Sequence, residues 1–163
     1  VYAYRSDVEA DTTVGAAVTN AQEFAAYLED DWKINSFIKL NAGVHASGFL
    51  VEDRWYQSLQ PRLSTRILLS DDLSLKASYA TMTQFIHLLT NAGLGLPTDL
   101  WVPSTNRVKP QQSWQVAAGA AKTYRGTYEI SLEGYYKEMS NLIEYEDGAS
   151  FVDLETDWQD KVA

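Results

Sequence analysis

The chain has 163 residues and carries 22 Asp and Glu against 13 Lys and Arg, a formal charge of −9. That acidic balance argues against nucleic acid as a partner, because phosphate binding needs a basic patch. No cysteine is present, which excludes a disulfide framework, a thiolate zinc site and a cysteine nucleophile.

One domain is the default for this length. No apolar run reaches the ~18 residues of a transmembrane helix, but a barrel strand needs only about 9–11 residues of alternating pattern. A mean hydropathy of −0.28 is ordinary for such a chain. There is no initiator Met, and Val1 begins inside a strand-like phrase, VYAYRSD, so the chain reads as a piece of something larger.

Val1 and Ala3 alternate with Tyr2 and Tyr4, and Ser6 to Asn20 is small and polar, a loop. From Gln22 to Ile34 alternation returns: Phe24, Ala26, Leu28, Trp32 and Ile34 share a face that Asp30 interrupts, while Tyr27, Glu29, Asp31 and Lys33 share the other. Asn35-Ser36 leads to a second strand, Phe37 to Leu50, where Ile38, Leu40, Ala42, Val44 and Ala46 oppose Lys39, Asn41, His45 and Ser47. Keeping like faces together pairs Ile34 with Ile38 across a three-residue loop. Residues Val51–Gln57 read as a longer connection.

The clearest pattern runs from Gln57 to Phe85. Leu59, Pro61, Leu63, Thr65, Ile67 and Leu69 oppose Gln60, Arg62, Ser64 and Arg66. After a turn at Ser70-Asp71-Asp72, Leu73, Leu75, Ala77, Tyr79, Thr81 and Phe85 oppose Ser74, Lys76, Ser78, Ala80 and Gln84. Helical spacing would set Arg62 and Arg66 beside Leu63, so the period of two predicts a long antiparallel hairpin. Residues 86–111, with three of the four prolines, read as irregular. A fifth strand is predicted over Ser113–Thr123 with Trp114, Val116, Ala118 and Ala120 outward, a tight turn at Arg125-Gly126, and a sixth strand over Thr127–Met139. Ala117, Ala118, Ala120 and Ala121 are small for an outward-packed strand, and Lys122 falls on its outward face. Residues 140–163 are acidic, turn-rich and aromatic, a further loop.

Short connections (Asn35-Ser36, Ser70–Asp72, Arg125-Gly126) alternate with long ones (Val51–Gln57, Ile86–Gln111, Ser140–Ala163). That is the pattern of an outer-membrane barrel. Trp32, Tyr79, Phe85, Trp114, Tyr128 and Tyr136 sit near strand ends, where interfacial girdles place aromatics. The fold class expected is all-β, an antiparallel up-and-down transmembrane β-barrel present in part, as about six strands. Two alternatives stay open: a soluble or surface-anchored β-sandwich whose loops hold a glycan, and a small closed eight-stranded barrel. The sandwich is disfavoured by strand length and by large charged groups throughout the polar faces; the small barrel needs strands beyond the six.

The phrases EFAAYLEDDWKIN, IKLNAGVHASGF, SLQPRLSTRILLSDDLSLKASYATMTQFIHLL, LPTDLWVPS…VKPQQSWQVAAG and YEISLEGYYKEMSNLIEYEDGASF follow one another in the chain. In that order they resemble the barrel of TonB-dependent outer-membrane receptors, particularly of Bacteroidetes type, from about Gln22 to Asp160. The resemblance implies a barrel of about 22 strands with an N-terminal plug, of which residues 1–163 are a partial barrel without plug, TonB box or terminal strand. It implies active uptake of a scarce nutrient, localisation in the bacterial outer membrane, and three partners: outer-membrane lipid, the inner-membrane TonB complex through the N-terminal part, and a surface lipoprotein.

No catalytic constellation emerges, so an enzyme is not expected. In Glu29-Asp30-Asp31 only Glu29 and Asp31 converge, too few oxygens for a calcium site; a polar wall balanced by Lys33, Lys39, Arg62, Arg66 and Lys76 is the plainer account. His45 and His87 lack ligand spacing, with His45 expected in the lumen and His87 at a strand end. Gly93-Leu94-Gly95 lacks a phosphate-loop context, and no GxSxG elbow occurs. No cofactor or metal is expected. What remains is recognition by loops. Asp99, Trp101, Asn106, Arg107 and Lys109 gather on one long loop, and Tyr145, Glu146 and Asp147 on another; Asp99, Trp101, Arg107 and Tyr145 are the substrate-contact candidates. Against this, Leu100, Trp101 and Val102 could simply pack the loop down.

Leu63, Ile67, Leu75, Ala77, Ile130 and Leu132 are expected to face outward, and Glu29, Arg62, Arg66, Lys76 and Glu133 inward.

Overall fold

A computed structural model describes residues 3–4, 12–13, 20–90, 99–144, 159 and 162. Among the described residues there are ten strands: β1 (Ala3–Tyr4), β2 (Thr12–Thr13), β3 (Ala21–Lys33), β4 (Ile38–Val51), β5 (Arg54–Ser70), β6 (Leu73–Gln84), β7 (Ile86–Thr90), β8 (Asp99–Pro103), β9 (Gln111–Tyr124) and β10 (Tyr128–Ser140). Six of them form one antiparallel sheet in the order β10-β9-β6-β5-β4-β3, so chain neighbours pair and the sheet is an up-and-down meander. β1, in the alternating run at the start of the chain, pairs with β2, which lies inside the Ser6–Asn20 segment expected to be a loop.

Three tight turns lie at one end of the sheet, the turn end. At 34–37 the Ile34 amide donates to the Ile38 carbonyl at 3.1 Å, the register expected from keeping like faces together. The Asn35 carboxamide oxygen accepts from the amides of Phe37 and Ile38, both at 2.8 Å, and so closes the loop. At Asp71-Asp72, Ser70 Oγ donates to the Asp72 carboxylate at 2.5 Å. This bond, aided by the Lys122 ammonium, holds the Asp72 carboxyl below its usual range. Lys122, outward on a strand otherwise small and apolar, is thus explained: it lies at the rim beside an acid. At Arg125-Gly126 both residues take positive φ, 52° and 66°, the geometry that matches strand twist and that glycine adopts without strain.

The opposite end departs from expectation. Val51–Gln57 is no long connection: β4 turns into β5 through Glu52 and Asp53 alone, with Glu52 at φ 51°. The acidic, basic and aromatic residues of this phrase look loop-like, yet Arg54 to Gln57 already pair with β4. Residues 86–111 are not irregular throughout either, because β7 and β8 form a hairpin within them.

Directly opposed residues share a face. Asp30, Ala42, Leu63, Tyr79, Val116 and Tyr136 form one cross-strand row, and Ile38, Ile67, Leu75, Ala120 and Leu132 another. Glu29, Gly43 and Arg62 lie on the other face, as do Lys76, Gly119 and Glu133. The two faces therefore segregate as predicted. Among the described residues no second sheet covers the apolar face, and Leu63, Ile130 and Leu132 stay exposed. This is not a sandwich with a dry inter-sheet core.

The polar face is concave. Along β9 the polar-face residues Ser113, Gln115 and Ala117 are half-buried while Trp114, Val116 and Ala118 are exposed. A single cavity of about 390 Å³ touches Asp31 on one edge strand and Glu133 on the other. On the convex face aromatics mark both ends of the edge strands: Phe24 and Trp32 on β3, Tyr128 and Tyr136 on β10, in each case eight residues apart. Eight residues span roughly 26 Å along a strand, or about 20 Å along the axis at a 40° tilt, comparable to an apolar band of about 25 Å. Trp114 packs against Tyr136 at 5.4 Å and Phe24 against Trp55 at 6.4 Å. Gly48 makes the second contact possible, since a Cβ there would fall 2.3 Å from the Trp55 ring.

Candidate functional site

The polar face of β4 reads Lys39, Asn41, Gly43, His45, Ser47, and then changes character to Phe49 and Val51. These two apolar side chains, 2 % and 1 % exposed, form a floor with Tyr56 of β5 at the end opposite the three tight turns. Beside them Gln60 Nε2 donates to Ser47 Oγ at 3.1 Å, which satisfies this buried pair.

What covers the floor is the β6–β9 connection. β6 ends at Gln84, whose Nε2 donates to the Ile86 carbonyl at 2.6 Å, and the chain turns inward. Phe85, expected among the outward girdle aromatics, instead stacks on Phe49 with ring centroids 5.0 Å apart and planes parallel. Burying two phenyl rings offsets the alternation that would have carried Phe85 outward. The β7–β8 hairpin follows, and the residues of its inner face, His87, Leu89 and Val102, are all buried. Ser104, fully buried, donates its amide to the Phe85 carbonyl at 2.7 Å, and its hydroxyl lies 3.1 Å from His87 Nε2. Tyr56 donates its hydroxyl to the Thr105 carbonyl at 2.6 Å. Thr105 Oγ1 accepts from the amides of Arg107 and Val108, each at 3.2 Å, and donates to Gln159 at 2.7 Å. Asn141, just past β10, donates to the Pro110 carbonyl at 2.9 Å. The connection is therefore a pinned cap over one end of the concave face.

Burial pushes the His87 pKa down, and a hydrogen bond to the Lys109 backbone opposes only part of that. His87 is thus a neutral structural group at the heart of the cap and not merely a strand-end residue. His45 lies on the polar face opposite Tyr27 and Gln60, with a buried Nδ1 that has no partner among the described residues.

The loop candidates fare differently. Asp99 opens β8 opposite Thr90. Trp101 lies opposite Leu88 on the hairpin's outer face and is 62 % exposed, while its neighbour Val102 is buried. Val102 packs the loop down, whereas Trp101 does not share that packing and stays exposed. Asn106, Arg107 and Lys109 are exposed around the Thr105 turn. Tyr145, Glu146 and Asp147 lie outside the described residues. The anchors Phe49, Phe85, Tyr56, His87 and Ser104 were not foreseen, although the break in polar alternation at Phe49 and Val51 is a signal for the floor.

On the open wall, Asn41 Nδ2 donates to Glu29 at 2.8 Å and to Asp31 at 2.9 Å. Among the described residues the two carboxylates are held by this carboxamide and by no cation. Among the described residues no three His, Asp or Glu side chains gather into a metal-ligating group.

The family model described as TonB dependent receptor-like, beta-barrel matches residues 2–159. The chain belongs to this family. No curated protein and no solved structure matches it. The family is one of outer-membrane transport receptors rather than enzymes, whose members engage TonB and the membrane. Membership accounts for three features of the described residues: an exposed apolar convex face, aromatics at its two ends, and a polar concave face with a cap at one end.

Proposed function

We propose that this chain is part of the barrel wall of a TonB-dependent receptor of Bacteroidetes type that actively takes up a scarce nutrient, residues 1–163 being one partial barrel domain. The carrying observation is the six-strand sheet with its apolar face bare, its polar face concave and one end closed by the pinned β7–β8 cap. In a bilayer the edge strands β3 and β10 each leave a row of backbone N–H and C=O groups that hydrocarbon cannot satisfy, so further strands must pair with them and close the wall. The end with the three tight turns then faces the periplasm, and the end with the cap and the Glu52-Asp53 turn faces the exterior, as in barrels whose long loops are external. Asp99, Trp101 and Arg107, with Tyr145 on the next loop, are the cargo-contact residues of that outer end. A surface lipoprotein would dock on the same side, and the TonB complex would act from the periplasm.

Residues 1–163 contain no cysteine, so a single thiol introduced here is read against the unaltered receptor labelled in parallel. Trp101→Cys in the full-length receptor should react with a membrane-impermeant maleimide on intact cells. Asp72→Cys, in a tight turn, should react only after the outer membrane is opened. Equal labelling of both on intact cells would overturn the topology. Uptake of a labelled nutrient that survives loss of the proton-motive force would overturn active transport.

A further inference from the structure

The register sets four cations side by side. Lys33 of β3 lies opposite Lys39 of β4, Lys39 opposite Arg66 of β5, and Arg66 opposite Lys76 of β6. Like charges directly opposed across strands are destabilising, and here three such contacts follow in a row. An excess of cations does not explain it, since only 13 Lys and Arg serve the whole chain and acids outnumber them. The neighbouring acids do not neutralise the row: Asp31 is held by Asn41, and Glu133 lies beyond Gly119 on β10. Among the described residues none of the four cations reaches a carboxylate within ion-pair distance.

Lys39, Arg66 and Lys76 line the middle of the 390 Å³ concave cavity together with Ser64 and Ser78, which oppose each other one row nearer the cap, while the carboxylates Asp31 and Glu133 line it from the two edge strands. Adjacent strands are about 4.8 Å apart, so the three cations span about 10 Å, within reach of one ligand bearing two or three anionic groups. The planar Arg66 fork is flanked by two lysine point charges with hydroxyl donors above, and concave low-dielectric walls concentrate the field of such a row.

We propose that Lys39, Arg66 and Lys76, extended by Lys33, form a binding site for a small polyvalent oxyanion, carrying phosphate or carboxylate groups, on the concave face near the turn end. The site is separate from the cap and its loop candidates. It needs only the sheet register, so it stands or falls independently of topology and transport.

The test is calorimetric titration of the detergent-solubilised full-length receptor with inorganic pyrophosphate, and in a second arm with citrate, at low and high salt. Saturable one-to-one binding that weakens with salt is expected, the stronger arm telling phosphate from carboxylate. Arg66→Gln, and separately Lys39→Gln with Lys76→Gln, should weaken it about tenfold or more, as for loss of a charge-assisted hydrogen bond. Lys137→Gln, on the same face but outside the row, should leave it unchanged. A strand-type circular dichroism spectrum shows that each variant is folded; should Arg66→Gln fail that check, the lysine pair carries the test. No saturable binding of either anion to the unaltered receptor, equal binding by the row variants, or equal loss in Lys137→Gln would overturn the proposal.

Discussion

The indole Nε1–H of Trp32 donates to the carboxylate of Asp30, two residues earlier on the same face of β3. Asp30 is the acid that interrupts the outward face of this strand, directly opposite Ala42 and one row from the exposed Leu28. A carboxylate facing lipid is costly, and an indole at the interface is the neighbour suited to satisfy it while keeping its own ring in the apolar layer.

Trp32→Phe should therefore destabilise the inserted receptor by about 1–3 kcal/mol, the penalty of leaving a desolvated acceptor unsatisfied. Asp30→Leu should not destabilise it, and Trp32→Phe in the Asp30→Leu background should cost much less than alone. Urea unfolding in lipid vesicles measures all three. Additive effects would show that the bond contributes nothing.

Leu63 and Ser64 are sequence neighbours on opposite faces of β5. Leu63→Arg should cost the ~2–4 kcal/mol of an arginine near the bilayer midplane, whereas Ser64→Arg on the concave wall should be far milder. Insertion yield into vesicles reads the difference, and equal costs would contradict the assignment of faces.

Phe85→Ala removes half of the stacked pair with Phe49. A fully buried Phe→Ala change costs about 3–5 kcal/mol, and here the loss should be local, because the six-strand ladder does not depend on the ring. Limited proteolysis should cut within 86–110 much faster than in the unaltered receptor while the barrel survives. Unchanged cleavage would mean that the cap is held elsewhere.

His87 carries a pH signature. Its folded-state pKa lies below the unfolded value near 6.5, so the unfolded cap binds more protons over that interval. Its contribution is fully present above about pH 6.5 and is lost on acidification toward the lowered folded value. Hydrogen exchange at residues 86–90 and 99–105 should accordingly be better protected at pH 7.5 than at pH 5, and His87→Gln should flatten the dependence. Greater protection at pH 5 would reverse the assignment.

Much of the sheet was legible because a period of two is a local property. The alternation of Leu63 with Arg62 and Ser64, repeated through Leu75 and Lys76, specifies strand, face and, through parity, the Ile34–Ile38 register. Val51–Gln57 misled because a two-residue turn and the strand after it have the same composition as a loop. The cap was not read from the sequence, although the break in polar alternation at Phe49 and Val51 is a local signal for its floor.

The sequence by itself determined the six long strands, their two faces, three of the four tight turns and the resemblance to the receptor family, all carried by residues near one another in the chain. Tertiary structure alone decided that Phe85 turns inward to Phe49, that His87 is buried against Ser104, and that Lys33, Lys39, Arg66 and Lys76 fall into one row. Those relations join residues far apart in sequence. They depend on how strand registers add across the sheet and on which apolar surface a returning connection finds to bury, and no local period encodes either.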